Sequence, residues 1–477
     1  MGILVRISGH VMGAALLGAA ACGSEPTTPT VERPAPIARP RPNIIVVMAD
    51  DLGYGDLSSY GGWIDTPALD TMAAEGIRFT DFHSSGAVCS PTRAGLLTGR
   101  YQQRAGLPDV IYANPAWNRH HGLQAEETTI AEMLQDEGYA TGVVGKWHLG
   151  YDESFNPTRH GFDRFRGYVS GNIDYMSHVD GFGFHDWWTN GANNPEEGYV
   201  THLVTDHAVR FIEEQTAAEQ PFFLYVSHEA PHFPYQGPLD PAFRVVGQQI
   251  PETRRPAQVE RAYREMVEEM DSGIGVILKT LEKLNIDGRT LVFFLSDNGA
   301  RPEGSNGPLR GFKASVWEGG HRVPAIAWWP GVIASGATSD AVAISLDVAA
   351  TVLDVADVIP PSDRTLDGVS LLPHLFGGAP PTTRMLFWSY QPIRAASTEL
   401  AVRDGGWKLV VDGNGQPGIA LYNLTSDQAE TVNLATDEPA RVATMRDALK
   451  AWQADVAANA TPQPPPAFSP ATPDATP

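Results

Sequence analysis

Cysteine is nearly absent from this 477-residue chain: there are two, Cys22 and Cys89. A disulfide framework is therefore not what holds the fold together. No apolar run is long enough to cross a bilayer, since residues 11–21 fall well short of the ~20 residues a membrane helix needs. Positive charge is also scarce. Lys and Arg number 34 against 56 Asp and Glu, a formal net charge of −22. That balance argues against nucleic acid as a partner, and any anionic ligand must be drawn in by cations gathered locally. No internal repeat is visible. What is present is an ordinary globular composition, 42% hydrophobic, in a chain long enough for a large domain and a smaller one.

The two ends read as segments outside any core. Arg6 and the short apolar run 11–21 have the form of a signal peptide, and Ala19-Ala20-Ala21-Cys22-Gly23-Ser24 resembles a lipoprotein cleavage box. Residues 1–22 are thus expected to direct export, with Cys22 as the lipid-bearing residue. Residues 23–42, rich in Pro, Thr and Ala, form a tether. A Pro- and Ala-rich stretch, 459–477, is expected to be a disordered tail.

Between the ends the pattern is α/β. Residues 43–48, 139–144, 221–226 and 290–295 are continuous apolar runs of strand length, as expected of strands buried on both faces. Helical patterns fall at 128–137, 200–214 and 258–284, the last with Met266, Met270, Ile274, Ile277, Leu278 and Leu281 on one side. The expected fold is a large, mostly parallel or mixed sheet flanked by helices over 43–380. Short strands at 385–390, 400–403, 407–411 and 419–422, then a helix at 438–456, give a smaller antiparallel subdomain over 381–458.

Each of the four buried strands runs into polar residues: Asp50-Asp51, Lys146-Trp147-His148, Ser227-His228-Glu229-Ala230-Pro231-His232, and Ser296-Asp297-Asn298. Open α/β sheets place their sites at such strand ends. Asp50, Asp51, Asp297 and Asn298 offer hard oxygen donors suited to Ca²⁺ or Mg²⁺ rather than Zn²⁺. In Cys89-Ser90-Pro91-Thr92-Arg93, Pro91 fits the first turn of a helix. Cys89 is then expected just outside that helix N-terminus, with Arg93 one turn further on the same face.

The run from Cys89 to Arg93, with its Leu97-Thr98-Gly99-Arg100 ending, resembles the signature of the type I, formylglycine-dependent sulfatases of the alkaline phosphatase superfamily. The resemblance implies that a separate formylglycine-generating enzyme oxidises Cys89 to formylglycine, whose hydrated aldehyde is the nucleophile. It implies one divalent cation, usually Ca²⁺, held by Asp50, Asp51, Asp297, Asn298 and the modified Cys89. Lys146 and His148 match a Gly-Lys-x-His motif, giving Lys146 a hold on the formylglycine or sulfate oxygen and His148 the role of base. Lys313, in the block 311–324, would grip sulfate near the leaving oxygen. Of two candidate acids, His228 and His232, the Ala-Pro-His-aromatic-Pro pattern selects His232.

The implied activity is hydrolysis of sulfate monoesters on a sulfated carbohydrate or an aryl sulfate, at the periplasmic side or cell surface. Two other readings stand beside it: a phosphodiester or phosphonate monoester hydrolase of the same superfamily, and a non-catalytic lipoprotein that binds sulfated glycans. Asn298 after Asp297 favours the sulfatase. The aromatic stretch 172–190, with Trp187 and Trp188, is expected to form part of a sugar-binding rim.

Overall fold

A computed structural model describes residues 41–464, apart from 115–116, 249–255, 392–397 and 414–417. The expected signal peptide, nearly all of the expected tether and residues 465–477 of the tail lie outside the described residues. Among the described residues, no helix is long and apolar enough to cross a membrane.

Four strands form the centre: β1 (Asn43–Ala49), β2 (Ala140–Lys146), β3 (Phe222–Ser227) and β4 (Thr290–Ser296). They lie side by side in the order β4-β1-β3-β2, all parallel, within a ten-stranded sheet. Arg164–Tyr168 adds a fifth parallel strand beside β2. Ala325–Trp328 closes the other side, antiparallel to β4, so the sheet is mixed. Every residue of β1 is buried, and its side chains alternate between two cores. Ile44, Val46 and Met48 face one core, and Ile45, Val47 and Ala49 the other. Burying each Ile or Val contributes roughly 1.5–3 kcal/mol, so a one-residue slip of this strand would empty both cores at once.

Helices cover both faces. Those on one side include α1 (Cys89–Thr98), α2 (Ile130–Asp136) and α5 (Ser345–Val355). On the other lie α3 (Val200–Ala217) and α4 (Pro256–Lys283), the latter burying Met266, Met270, Ile274 and Ile277. Helix α2 begins with a capping box in which Thr129 and Glu132 satisfy each other's backbone N–H. A four-stranded antiparallel sheet, β5 (Leu386–Tyr390), β6 (Glu399–Asp404), β7 (Trp407–Val411) and β8 (Ile419–Asn423), carries α6 (Pro439–Ala458). Its apolar side forms a third core that also takes in Tyr101, Val316, Trp317, Ile344 and Leu346 from the large sheet's side of the molecule.

One expectation needs correction. The stretch just past α6 was expected to be disordered from residue 459, but the described part of it is docked. Thr461 N donates to Arg104 O at 2.7 Å. The Gln463 side chain accepts from Gly122 N and donates to Gly122 O, both at 3.0 Å. The composition is poor in apolar residues, and docking is achieved instead by polar groups pairing with backbone.

Candidate active site

The polar residues that follow β1, β2, β3 and β4 converge, because parallel strands deliver their C-terminal ends to one edge. Cys89 meets them from α1. It is the first residue of that helix rather than outside it: Val88 is the cap, with φ −151°. Pro91 is then third, still among the first four residues whose N–H has no helical partner, so the ring costs no hydrogen bond.

Backbone strain gathers here. Asp51, His148 and Ala314 all have positive φ, at 64°, 56° and 65°. Side chains larger than glycine pay for that conformation, and it persists where the surroundings dictate it. Gly145 makes a close approach possible, since a Cβ there would lie 2.0 Å from Ser227 O. It lets β2 sit tightly against β3, so that Lys146 reaches the aspartates.

Three buried carboxylates face three cations. Arg93 donates to Asp297 Oδ2 from Nε at 3.1 Å and from Nη2 at 2.8 Å, and lies 3.5 Å from Asp50. Lys146 is paired with Asp50, and Lys313 with Asp51. Lys313 Nζ also lies 3.1 Å from Cys89 Sγ, and the thiol is 3.4 Å from Asp50 Oδ1. Asn298 Nδ2 donates to Asp51 Oδ1 at 2.8 Å, and Asp51 N donates to Asp297 Oδ1 at 3.2 Å. All but the slightly exposed Lys313 are nine-tenths or more buried, and these groups tolerate desolvation only as a set.

Two oxygens are left over. Asp51 Oδ2 and Asn298 Oδ1 are buried with no hydrogen-bond partner among the described residues. Ligand atoms of Asp50, Asp51, Cys89 and His232 all lie within 4.8 Å of one another, while Asp297 falls outside that group of four. Acceptor oxygens gathered around a gap, with no proton aimed at them, fit a hard divalent cation.

The thiol itself is a poor nucleophile. Burial, with the charge of Asp50, pushes Cys89 up to about 12. Asp51 stays well below the ordinary carboxylate range: burial opposes its charge, but Lys313 and His232 outweigh burial. Asp297 is pushed up to about 6, by burial first and then by Asp50.

The two histidines are held in definite tautomers. His148 Nε2 donates to Ile111 O at 3.0 Å, so the lone pair belongs to Nδ1, which has no partner among the described residues. Burial, then Lys146 and Arg93, hold it well below the ordinary histidine value. His232 Nδ1 donates to Phe233 O at 2.7 Å, leaving Nε2 3.7 Å from Asp51 Oδ2. His232 too is held low, by burial against the pull of Asp51. His228 makes no hydrogen bond among the described residues through either nitrogen, and burial takes it down to about 4.

Cys89, His148, His232 and Lys313 line a cavity of about 530 Å³. Its walls include residues that no sequence pattern singled out. Ile111 orients His148 through its carbonyl. Tyr390 comes from the edge strand β5 of the small sheet. Asp56 accepts from Gly53 N and Ser305 N at 2.8 Å, tying the turn after Asp51 to the loop after Asn298. An aspartate amid glycines was the only available sign of it. The expected tryptophan rim is not there. Trp187 is fully buried, with its indole N–H on Glu196, and Trp188 donates to Asp186. From that stretch Asn172, Asp180, Gly181 and Phe182 reach the cavity instead.

Comparison with known proteins agrees with this geometry. The family profile described as Sulfatase matches residues 42–358, and one described as N-sulphoglucosamine sulphohydrolase, C-terminal, matches 312–455. The N-acetylgalactosamine-6-sulfatase of Canis lupus familiaris is 38% identical over 362 residues, 71% of this chain. That alignment spans only 66% of the relative's length. The arylsulfatase G of Rattus norvegicus is 33% identical, with 84% of each chain covered. Among solved structures, Ps i-CgsB in complex with k-i-k-neocarrahexaose superposes with a TM-score of 0.77 at 27% identity, over 90% of this chain and 94% of that one.

Proposed function

The chain belongs to the sulfatase family, and from that premise we propose that it hydrolyses sulfate monoesters on a sulfated carbohydrate. The observation that carries the reading is the contact of Asp50, Asp51 and Lys146 with the group of Cys89, His148, His232 and Lys313 that lines one cavity, with two acceptor oxygens unspent. Asp50, Asp51, Asp297 and Asn298 would hold the cation. When present, the cation, which we take to be Ca²⁺, would neutralise sulfate oxygens, and formylglycine made from Cys89 would supply the attacking hydroxyl.

The remaining work falls to this chain's own side chains. Lys146 and Lys313 bring two ammonium groups to the place where a sulfate's charge arrives. His232, with Nδ1 fixed on Phe233 O, can carry a proton on Nε2 for the departing alcohol oxygen. An anion seated between the lysines offsets the charges that now hold His232 low. His148, neutral and with Nδ1 free, accepts the proton that resets the nucleophile. Arg93 holds Asp297 in place through two hydrogen bonds and lies beside Asp50. Because Cys89 is buried in the folded chain, the formylglycine-generating enzyme must meet it before folding is complete. Export to the periplasm or cell surface, with a lipid on Cys22, completes the reading. In such a place the substrate would be an extracellular glycan.

The test is sulfate release from a panel of sulfated sugars and a small aryl sulfate. It is joined to mass spectrometry of the Cys89 peptide, expected lighter than the thiol form by about one water. Release of phosphate or phosphonate esters in place of sulfate, or activity with only unmodified thiol present, would end the proposal.

A further inference from the structure

The cations around Cys89 are spent on carboxylates: Arg93 on Asp297, Lys146 on Asp50, Lys313 on Asp51. Arg301, in the same cavity wall, is not. It follows the Asp297-Asn298-Gly299-Ala300 turn, so the chain that supplies metal-ligand candidates also fixes its backbone. Its nearest carboxylate oxygen, Glu303 Oε2, is 3.7 Å from Nε. That is too long for a hydrogen bond, and Glu303 Oε2 already accepts from the Tyr235 hydroxyl at 2.9 Å. Arg301 Nε is buried without a hydrogen-bond partner among the described residues. The side chain as a whole is 41% exposed, so the fork reaches the open part of the cavity.

Its position is defined by stacking. The guanidinium carbon lies 5.1 Å from the centre of the Phe233 ring, and the Phe233 ring stacks on His232 with centroids 4.5 Å apart. A flat cation on an aromatic face keeps its in-plane N–H donors pointing sideways and loses little freedom when they are used. The ladder His232–Phe233–Arg301 therefore leads, through two stacking contacts, from the proposed proton donor to a forked donor. Among the described lining residues the only carboxylate is Asp180, and its Oδ1 is occupied by the N–H groups of Phe182 and Phe184, at 2.9 Å each. On a protein of net charge −22, an unspent arginine in a cavity of about 530 Å³ is a local exception.

We propose that Arg301 recognises a second oxyanion of the substrate, a carboxylate or another sulfate, on the sugar that carries the scissile sulfate or on its neighbour. The substrate class narrows accordingly to glycans with at least two acidic groups close together. The proposal rests on the sulfatase reading above.

The experiment compares wild type, Arg301→Ala and Arg301→Lys on four substrates. These are a small aryl sulfate, a singly sulfated neutral sugar, the same sugar joined to a uronic acid, and a disulfated disaccharide. Wild type is expected to prefer one of the doubly acidic substrates, and which one identifies the anion. Arg301→Ala should lose about 10–100-fold in kcat/KM on that substrate, chiefly through KM, since a charged hydrogen-bonded pair is removed. It should stay within about 2-fold on the aryl sulfate and the neutral sugar sulfate, and Arg301→Lys should recover part of the loss. Equal losses on all four substrates, or a wild type indifferent to the second anion, would overturn the proposal. If wild type releases no sulfate from any of them, the sulfatase reading fails, and equilibrium binding of the disulfated disaccharide decides the role of Arg301. About 10-fold weaker binding by Arg301→Ala supports the proposal, and unchanged binding overturns it.

Discussion

Two buried charge clusters lie in this fold, and they are finished differently. Around Cys89, carboxylates and cations pair, yet Asp51 Oδ2 and Asn298 Oδ1 remain without partners and the group opens onto a cavity. Around His321, the grouping of His83, Glu318 and His321 also brings ligand-type atoms within 4.8 Å of one another. There, however, Lys408 Nζ donates to Glu318 Oε1 at 2.9 Å and lies 3.1 Å from His321 Nε2 and 3.0 Å from Glu430 Oε1. Arg403 is held by Asp81 at 2.6 Å and reaches His83 Nε2 at 2.8 Å. An ammonium already occupies the place a metal would need. Residues from β6 and β7 supply these cations, so the second cluster joins the small sheet to the large body. Proximity of acids and histidines alone does not distinguish a site from a structural joint; unspent acceptors do.

The comparison can be broken in order of expected effect. Cys89→Ala should abolish turnover, by about 10⁴-fold or more, while thermal melting shows the fold intact. A mutant that unfolds instead would mean that the first cluster is also a joint. His232→Ala should cost about 10²–10⁴-fold on sugar sulfates, whose leaving oxygen needs a proton. An activated aryl sulfate should be nearly spared, and comparable loss on both would assign His232 to binding.

Lys408→Met should do the reverse. Removing one partner of a buried pair costs about 3–5 kcal/mol of stability, read by urea unfolding, with kcat/KM of the folded enzyme little changed. Loss of activity without loss of stability would make the second cluster part of the site.

Glu430→Gln sharpens the same point at smaller scale. Burial, opposed by Lys408, pushes Glu430 from 4.5 to about 6. A raised carboxyl favours the protonated folded state, so its contribution is full below 4.5 and declines as pH rises to about 6. The decline is worth about 2 kcal/mol. Unfolding free energies at pH 4.5 and 7 should show a decline about 2 kcal/mol smaller in Glu430→Gln than in wild type, where Asp297 and other raised carboxyls add their own share. An identical decline in both would place the titrating group elsewhere.

The central strands were legible because burial on both faces leaves an unbroken apolar run, as in residues 43–48, and because each run stops at its polar cargo. Helix α5 and the short strands Ile77–Phe79 and Ala337–Ser339 were not read. Three residues of strand carry no period, and their pairing is decided by neighbours far away in the chain. The resemblance carried over residue identities but not what holds them: the Ile111 carbonyl that sets the His148 tautomer belongs to no side-chain pattern. Trp187 misled because large aromatic rings serve cores as readily as sugar rims. Here its ring lies 5.0 Å from His178, inside the packing.

The docked segment at Thr461 and Gln463 has a consequence for the order of assembly. It fastens Arg104, Gly122 and Glu127, at the two ends of the loop that presents Ile111 to His148. Gln463 is 341 residues away from Gly122 in the chain, one of the longest closures in the molecule. Such contacts form late, since their loop entropy must be met by structure already in place. The parallel sheet can be complete and Cys89 enclosed while His148 still lacks its orienting carbonyl. A probe that watches the sheet will therefore report a finished fold before the last fastening is made, and catalytic competence will lag behind it.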